Sequence, residues 1–258
     1  MSVKRISITF YIICLLFITM PLVSLVMSGD HNIQIFGNEM LQSAVMVSLR
    51  TTAMMMLIII LLGTPAAYAI ARIEFKGKEL LNILLDLPLV LPPAVAGLLL
   101  LLTFGRRGWI GIILNQLDIQ LPFTMIAVVM AQIFVGLPIY IKTAAEGFKN
   151  VDEKLELTAM TLGDSKFKAF VNITLPLAKG SIITGGIMAW ARGLAEFGAT
   201  ILFAGNLPGV TQTLPLAIYS AMEVDMGVAL AIARVMVFIS MTLLIILHVL
   251  SRQRRDHA

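Results

Sequence analysis

Six apolar runs, near residues 6–28, 44–71, 80–104, 122–145, 176–204 and 226–249, take up most of the chain. A bilayer core about 30 Å thick is crossed by about 20 helical residues. Hydrocarbon offers no water to backbone amides and carbonyls, so a lipid-facing run of this length must satisfy them internally, as an α-helix. Composition agrees: the chain is 59% hydrophobic and 13% charged, where a soluble domain has about 25% charged residues. The expected fold class is an all-α integral membrane protein of six transmembrane helices. No Ser/Gly/Pro-rich linker divides it, so residues 1–258 are expected to form a single transmembrane domain. The first run follows Lys4 and Arg5 and is longer than the ~7–15 apolar residues of a signal peptide, so a retained helix is expected. Cys14 lies in that run and reads as a small buried apolar residue.

The charges are distributed by side. The 2–3 loop carries Arg72, Lys76 and Lys78, and the tail carries Arg252, Arg254 and Arg255. The 4–5 loop carries Lys142, Lys149, Lys154, Lys166, Lys168 and Lys179, whereas the 1–2 and 5–6 loops have no Lys or Arg. The positive-inside rule then puts both termini in the cytoplasm, with only Arg106 and Arg107 dissenting. The net charge of +4 reads as topology charge, not as a nucleic-acid surface. His31, His248 and His257 are scattered, so no metal site is expected.

Several residues do not suit a lipid-facing helix. "LPLVLPP" places Pro88, Pro92 and Pro93 in the third run, which should be kinked or locally unwound where protein or a cavity satisfies the freed carbonyls. Asp86 beside it is expected near the cytoplasmic surface, paired with a loop Lys or capping freed amides. In "WARGLAEFGAT", Arg192 and Glu196 stand four residues apart near the middle of the fifth run. A charge there costs at least ~2.5–3.5 kcal/mol, and helical spacing lets the two pair on one face. Gly185, Gly186, Gly193 and Gly198 with nearby alanines permit close helix approach. Arg50 and Arg234 lie toward the outer ends of the second and sixth runs. With Arg192 and Glu196 they are candidates for an anion pathway or gate. The competing reading neutralises each Arg by a helix C-terminus, a carboxylate or lipid headgroups. Leu214 to Met222, in the outer 5–6 loop, reads as a short interfacial or re-entrant helix.

The cytoplasmic loop at about 150–175 has its own helical pattern. Glu153 to Leu162 reads as a helix after Asp152, with Leu155, Ala159 and Leu162 on one face and Gly163 as its stop. Asp164 or Ser165 caps a second short helix through Phe167 and Phe170. Pro176 then opens the next span as a first-turn proline. Such helices either lie on lipid or form a plug that docks into a partner.

"LELTAMTLGDSKFKAFVNITLPLAKGSI" resembles the cytoplasmic signature loop of ABC-importer permeases, whose pattern is roughly E-A-A, a Gly, then I-x-L-P. Gly163, Ile173, Leu175 and Pro176 match, and Ala159 fills the second alanine position. The acidic and first alanine positions hold Leu157 and Thr158, and Glu156 precedes the block. From about Ser43 onward, "LDLPLVLPPAVAGLLLLLTFGRRGWIG" and "EFGAT…N-x-P-G-x-T-Q-T-x-P-L-A-x-Y" are similar to molybdate permeases and, less closely, to sulfate/thiosulfate permeases.

The resemblance implies a type I importer permease of a prokaryotic cytoplasmic membrane, translocating molybdate or tungstate. It implies a homodimer, two cytoplasmic ABC ATPases and an extracytoplasmic oxyanion-binding protein, around a chain that is itself no enzyme. The loop residues Leu155, Glu156, Ala159, Leu162, Gly163, Phe167 and Pro176 would then couple to the ATPase. The sequence has no G-x-x-x-x-G-K-[ST] phosphate loop. This chain is therefore expected to bind no cofactor, leaving ATP and Mg to the partner ATPase. An ATP-independent secondary transporter or channel, which needs no such plug, and a membrane receptor or assembly factor that moves nothing are the readings from other classes.

Overall fold

The apolar runs become helices whose ends follow local chemistry. The computed structural model describes residues 3–28 and 38–252, with side chains over 7–28 and 38–246. His31 and His257, most of the 1–2 loop and the end of the basic tail lie outside the described residues, as does the side chain of His248. Helix α1 spans Val3–Met27 and α2 spans Glu39–Arg72. Asn38 caps α2 by accepting from Leu41 N. At 34 residues, α2 is about 51 Å long and exceeds the bilayer core.

The third run is two helices rather than one kinked span. Helix α3 (Lys78–Val90) and α4 (Pro93–Phe104) are bent by 117° at the break between them. The cause is local: Leu91 and Pro92 each precede a proline and are held extended, with ψ of 137°. The pair still runs along the length of α6 (Met125–Lys149). Asp86 of α3 pairs with Lys142 near the C-terminal end of α6, while Leu100 of α4 packs with Ala127 and Val128 near its start. Among the described residues, five helices are long and apolar enough to cross a membrane, and the bent pair brings the number to six if it is counted as one span. A short α5 (Trp109–Asn115) joins α4 to α6.

After α7 (Glu153–Thr161), α8 (Lys166–Ala169) does not stop. It continues through a π-helical segment, Phe170–Thr174, into α9 (Leu175–Leu194). Pro176 does stand in the first turn of α9, as expected, but that turn continues an existing helical path, because Thr174 before it already has φ −70° and ψ −45°. Pro176 cannot donate to the carbonyl four residues back and would crowd it. The widened turn before it, where Leu175 N bonds Phe170 O, absorbs that mismatch.

The fifth run also fails to be continuous: α9 ends at Leu194, and α10 (Gly198–Phe203) follows a break at 195–197. Helix α11 (Leu214–Val224) precedes α12 (Met226–Arg252). It tucks into the bundle, with Leu214 and Leu216 fully buried and Leu214 N donating to Ser48 Oγ of α2 at 2.8 Å.

Helix α6 is the axis of the bundle, packed between α2 and α9. The largest apolar cluster around it joins Met55, Ile59, Tyr140, Phe148 and Ala189. Close approach needs small residues: a Cβ on Gly193 would stand 2.4 Å from Met55 Sδ. Buried polar pairs fix the register, Tyr140 with Thr64 at 2.6 Å and Gln132 Nε2 to Thr51 Oγ1 at 3.2 Å. Helix α1 stands apart: it touches this chain mainly at α12, and none of its apolar stretch is buried. Cys14 is consequently exposed in the chain, not buried as its type suggested.

Candidate functional site

Two polar sites lie at opposite ends of α9. At its C-terminal end the chain closes the helix with tight bonds, Ala195 N to Ala191 O and Glu196 N to Gly193 O, and then leaves helical geometry at Phe197. Arg192 and Glu196 therefore do not share one continuous helix, as the spacing suggested, but they do meet. Arg192 Nη1 lies 2.8 Å from Glu196 Oε2. The other carboxylate oxygen accepts from Ala199 N at 2.8 Å and so opens α10. The pair is asymmetric: the Glu196 side chain is 0% exposed and that of Arg192 33%. The carboxylate is locked, and the Arg192 side chain stays partly exposed.

The two broken spans meet there. A Cβ on Gly198 would stand 2.7 Å from Pro93 Cβ, and one on Gly97 would stand 2.9 Å from the Ala199 backbone. Only glycine permits this approach, which sets the α3–α4 break against the α9–α10 break. Phe197 leans on Tyr219 of α11, ring centroids 5.6 Å apart. The remaining arginine candidates do not join the pair. Arg234 donates to the carbonyls of Leu25 (3.1 Å) and Ser28, at the end of α1, where a cation suits the helix dipole. Arg50 is exposed on α2, with no ion-pair partner among the described residues.

The other site is the loop before α9. Asp152 Oδ1 accepts from Lys154 N at 3.0 Å and caps α7. Gly163 has φ +105°, a conformation that a Cβ disfavours. Its N–H bonds Met160 O, and Asp164 N bonds Ala159 O, which is the Schellman closure. Ser165 Oγ then accepts from Lys168 N and caps α8. The stop residue and both caps stand where the sequence placed them, although α8 belongs to the following span. No residue of α7 is fully buried. Leu155, Leu162 (84%) and Phe167 (75%) are exposed, and Ala159 is half-buried. An exposed apolar surface of this kind suits a contact with lipid or with a partner.

Glu156 faces the other way, onto the bundle. Tyr68 Oη donates to Glu156 Oε2 at 3.0 Å, and the Thr174 hydroxyl donates to Oε1. Arg72 reaches Glu153 Oε1 at 3.1 Å and Val151 O at 2.6 Å. Tyr68, Arg72, Glu153 and Glu156 edge an open groove of about 1090 Å³ between α2, α7 and α9. Tyr68 and Thr174 carried no signal in the sequence, and Arg72 reads there only as a topology charge.

Residues 59–256 match the family described as the binding-protein-dependent transport system inner membrane component. The chain is a permease of that family. It is 38% identical over 218 residues to the molybdenum transport system permease protein ModB of Escherichia coli (strain K12), covering 83% of this chain and 95% of that protein. It is 43% identical over 180 residues to the putative molybdenum transport system permease protein YvgM of Bacillus subtilis (strain 168), covering 69% and 79%. The permease also superposes on a crystal structure of a bacterial ABC transporter involved in alginate import, with TM-score 0.74 at 15% identity over 98% of this chain and 94% of that one. That likeness is one of fold. The permease is thus a multi-pass inner-membrane transport component of an ABC importer.

Proposed function

We propose that this permease translocates molybdate or tungstate inward as a homodimer, with an ABC ATPase beneath each copy and an oxyanion-binding protein outside. The observation that carries the substrate is the likeness to two molybdenum permeases over most of the chain. The geometry supports an anion route. Arg192 is partly exposed at the junction of the two helix breaks, and Glu196 holds it in place. Broken helices at membrane depth belong where backbone lines protein or a cavity. A fixed carboxylate beside the arginine weakens its grip on a dianion, so that the anion can leave.

A second copy gives α1 a surface to pack on, since its own chain offers it so little. The Gly163 turn and the exposed Leu155, Leu162 and Phe167 suit insertion into the ATPase. ATP binding would close the ATPases, draw the two α7 helices together and open the pathway outward. Both termini are then cytoplasmic, with the α7 end of the bundle facing the ATPases.

The experiment is uptake by vesicles reconstituted with the permease, ATPase and binding protein. Labelled molybdate should enter only with ATP and be displaced by tungstate, not by sulfate. Displacement by sulfate would move the assignment to the sulfate group. Entry without ATP would indicate a secondary transporter or channel. Gly163→Pro, which cannot adopt the observed φ, should release the ATPase on co-purification, and full retention of the ATPase would remove the docking role.

A further inference from the structure

Glu156 stands one residue before the acidic position of the loop pattern, which Leu157 fills. One residue is about 100° around a helix. That rotation sends Leu157 outward and turns the Glu156 carboxylate back onto the membrane bundle, where its side chain is only 13% exposed. Three side chains from two pieces of chain, α2 and the π segment, hold it. Tyr68 comes from the last turns of α2, Thr174 from the π segment entering α9, and Arg72 Nη2 stands 3.9 Å from Oε1. The Tyr68 ring is itself boxed by Phe148 of α6 and Phe170 of the π segment, at centroid distances of 5.7 and 4.8 Å. Without Glu156, the polar side-chain ties from α7 to the spans, among the described residues, reduce to Arg72–Glu153, whose carboxylate is 67% exposed. Exposed pairs hold weakly, whereas hydrogen bonds to a partly buried carboxylate are about twice as strong as neutral ones.

We propose that Glu156 is a positioning residue that latches the coupling helix to the ends of α2 and α9, so that a push on α7 moves both spans together. The latch sits at the one π segment among the described residues, the place where α8 could otherwise swing independently of α9. Its far consequence is at Arg192, on the other end of the same α9. This inference rests on the reading that α7 docks on the ATPase.

The experiment measures, in reconstituted vesicles, the ATP hydrolysed per anion taken up and the ATPase recovered with the permease. Glu156→Ala should keep the ATPase bound while the ratio rises about tenfold, the scale set by losing hydrogen bonds to a charged group. Glu156→Gln retains an acceptor for Tyr68 and Thr174 and should lie between Ala and wild type. Tyr68→Phe removes one hydroxyl and should give a smaller rise, not additive with Glu156→Ala. An unchanged ratio in both Glu156→Ala and Tyr68→Phe overturns the latch. Loss of the ATPase from Glu156→Ala overturns it as well, because Glu156 would then be a docking residue. If Glu156→Ala does not accumulate, the Tyr68→Phe ratio decides alone. Failure of the docking reading shows separately, as Gly163→Pro retaining its ATPase.

Discussion

Both ends of α9 set a carboxylate against an arginine, and they do so by different means. At the C-terminal end Arg192 and Glu196 are one turn apart in sequence and 2.8 Å apart in space. At the N-terminal end Glu156 is held by Tyr68, 88 residues away along the chain, with Arg72 nearby at 3.9 Å. The first pair depends on local backbone geometry and survives the helix breaking beneath it, because Glu196 N still bonds Gly193 O. The second exists only if α2, α7 and the π segment arrive together. A local pair can lower the insertion cost of its own charges before the bundle forms. A long-range latch reports that the bundle has formed, which is the property required of a part that transmits force.

The sharpest way to break this comparison is at Arg192. Arg192→Ala strands a fully buried carboxylate, a loss of about 3–5 kcal/mol when a buried pair is halved, read as a drop in the melting temperature of the detergent-solubilised permease. The double variant Arg192→Met with Glu196→Gln strands no charge and should recover most of that stability while uptake stays low. Recovery of uptake would make the pair structural only. Next in size is Gly97→Leu. It drives a side chain into the Ala199 backbone where the two breaks meet, and overpacking costs about 1–3 kcal/mol. The same melting assay should show the loss, and wild-type stability would mean the breaks are not in fixed contact.

A loss no larger is expected beside the first pair, and the smallest at the other end. Ser48→Ala removes the acceptor of Leu214 N and should cost about 1–3 kcal/mol for a stranded buried amide, seen as faster hydrogen exchange at the start of α11. Smallest is Glu153→Gln. It meets the same Arg72 as Glu156 but is 67% exposed, so about 0–1 kcal/mol is expected, with no change in ATP used per anion. An effect as large as that of Glu156→Ala would erase the distinction between latch and surface pair.

What could be read in advance follows the range of the interaction. The spans, the Asp152 and Ser165 caps, the Gly163 stop, the proline break after Val90 and the Arg192–Glu196 pairing all depend on residues within a turn or two. Neighbouring sequence carries that information by itself. The break at 195–197 was missed because no proline marks it; the chain leaves the helix where Glu196 turns to cap α10. The π segment was missed because an i→i+5 register leaves no composition signal, although Pro176 after it is its local reason.

Arg234 shows the same division from another side. Its position in an apolar span made it a candidate for the pathway, but it is the end of α1, far away in sequence, that receives its guanidinium. The sequence by itself determined that this chain is a bundle of membrane helices with a structured loop between the fourth and fifth, because apolar length, caps and turns are local quantities. Only the tertiary structure decided that the two broken spans meet at Gly97 and Gly198, and that Glu156 faces the membrane bundle. Those outcomes depend on which distant backbones come within van der Waals reach, and packing, not spacing, sets that.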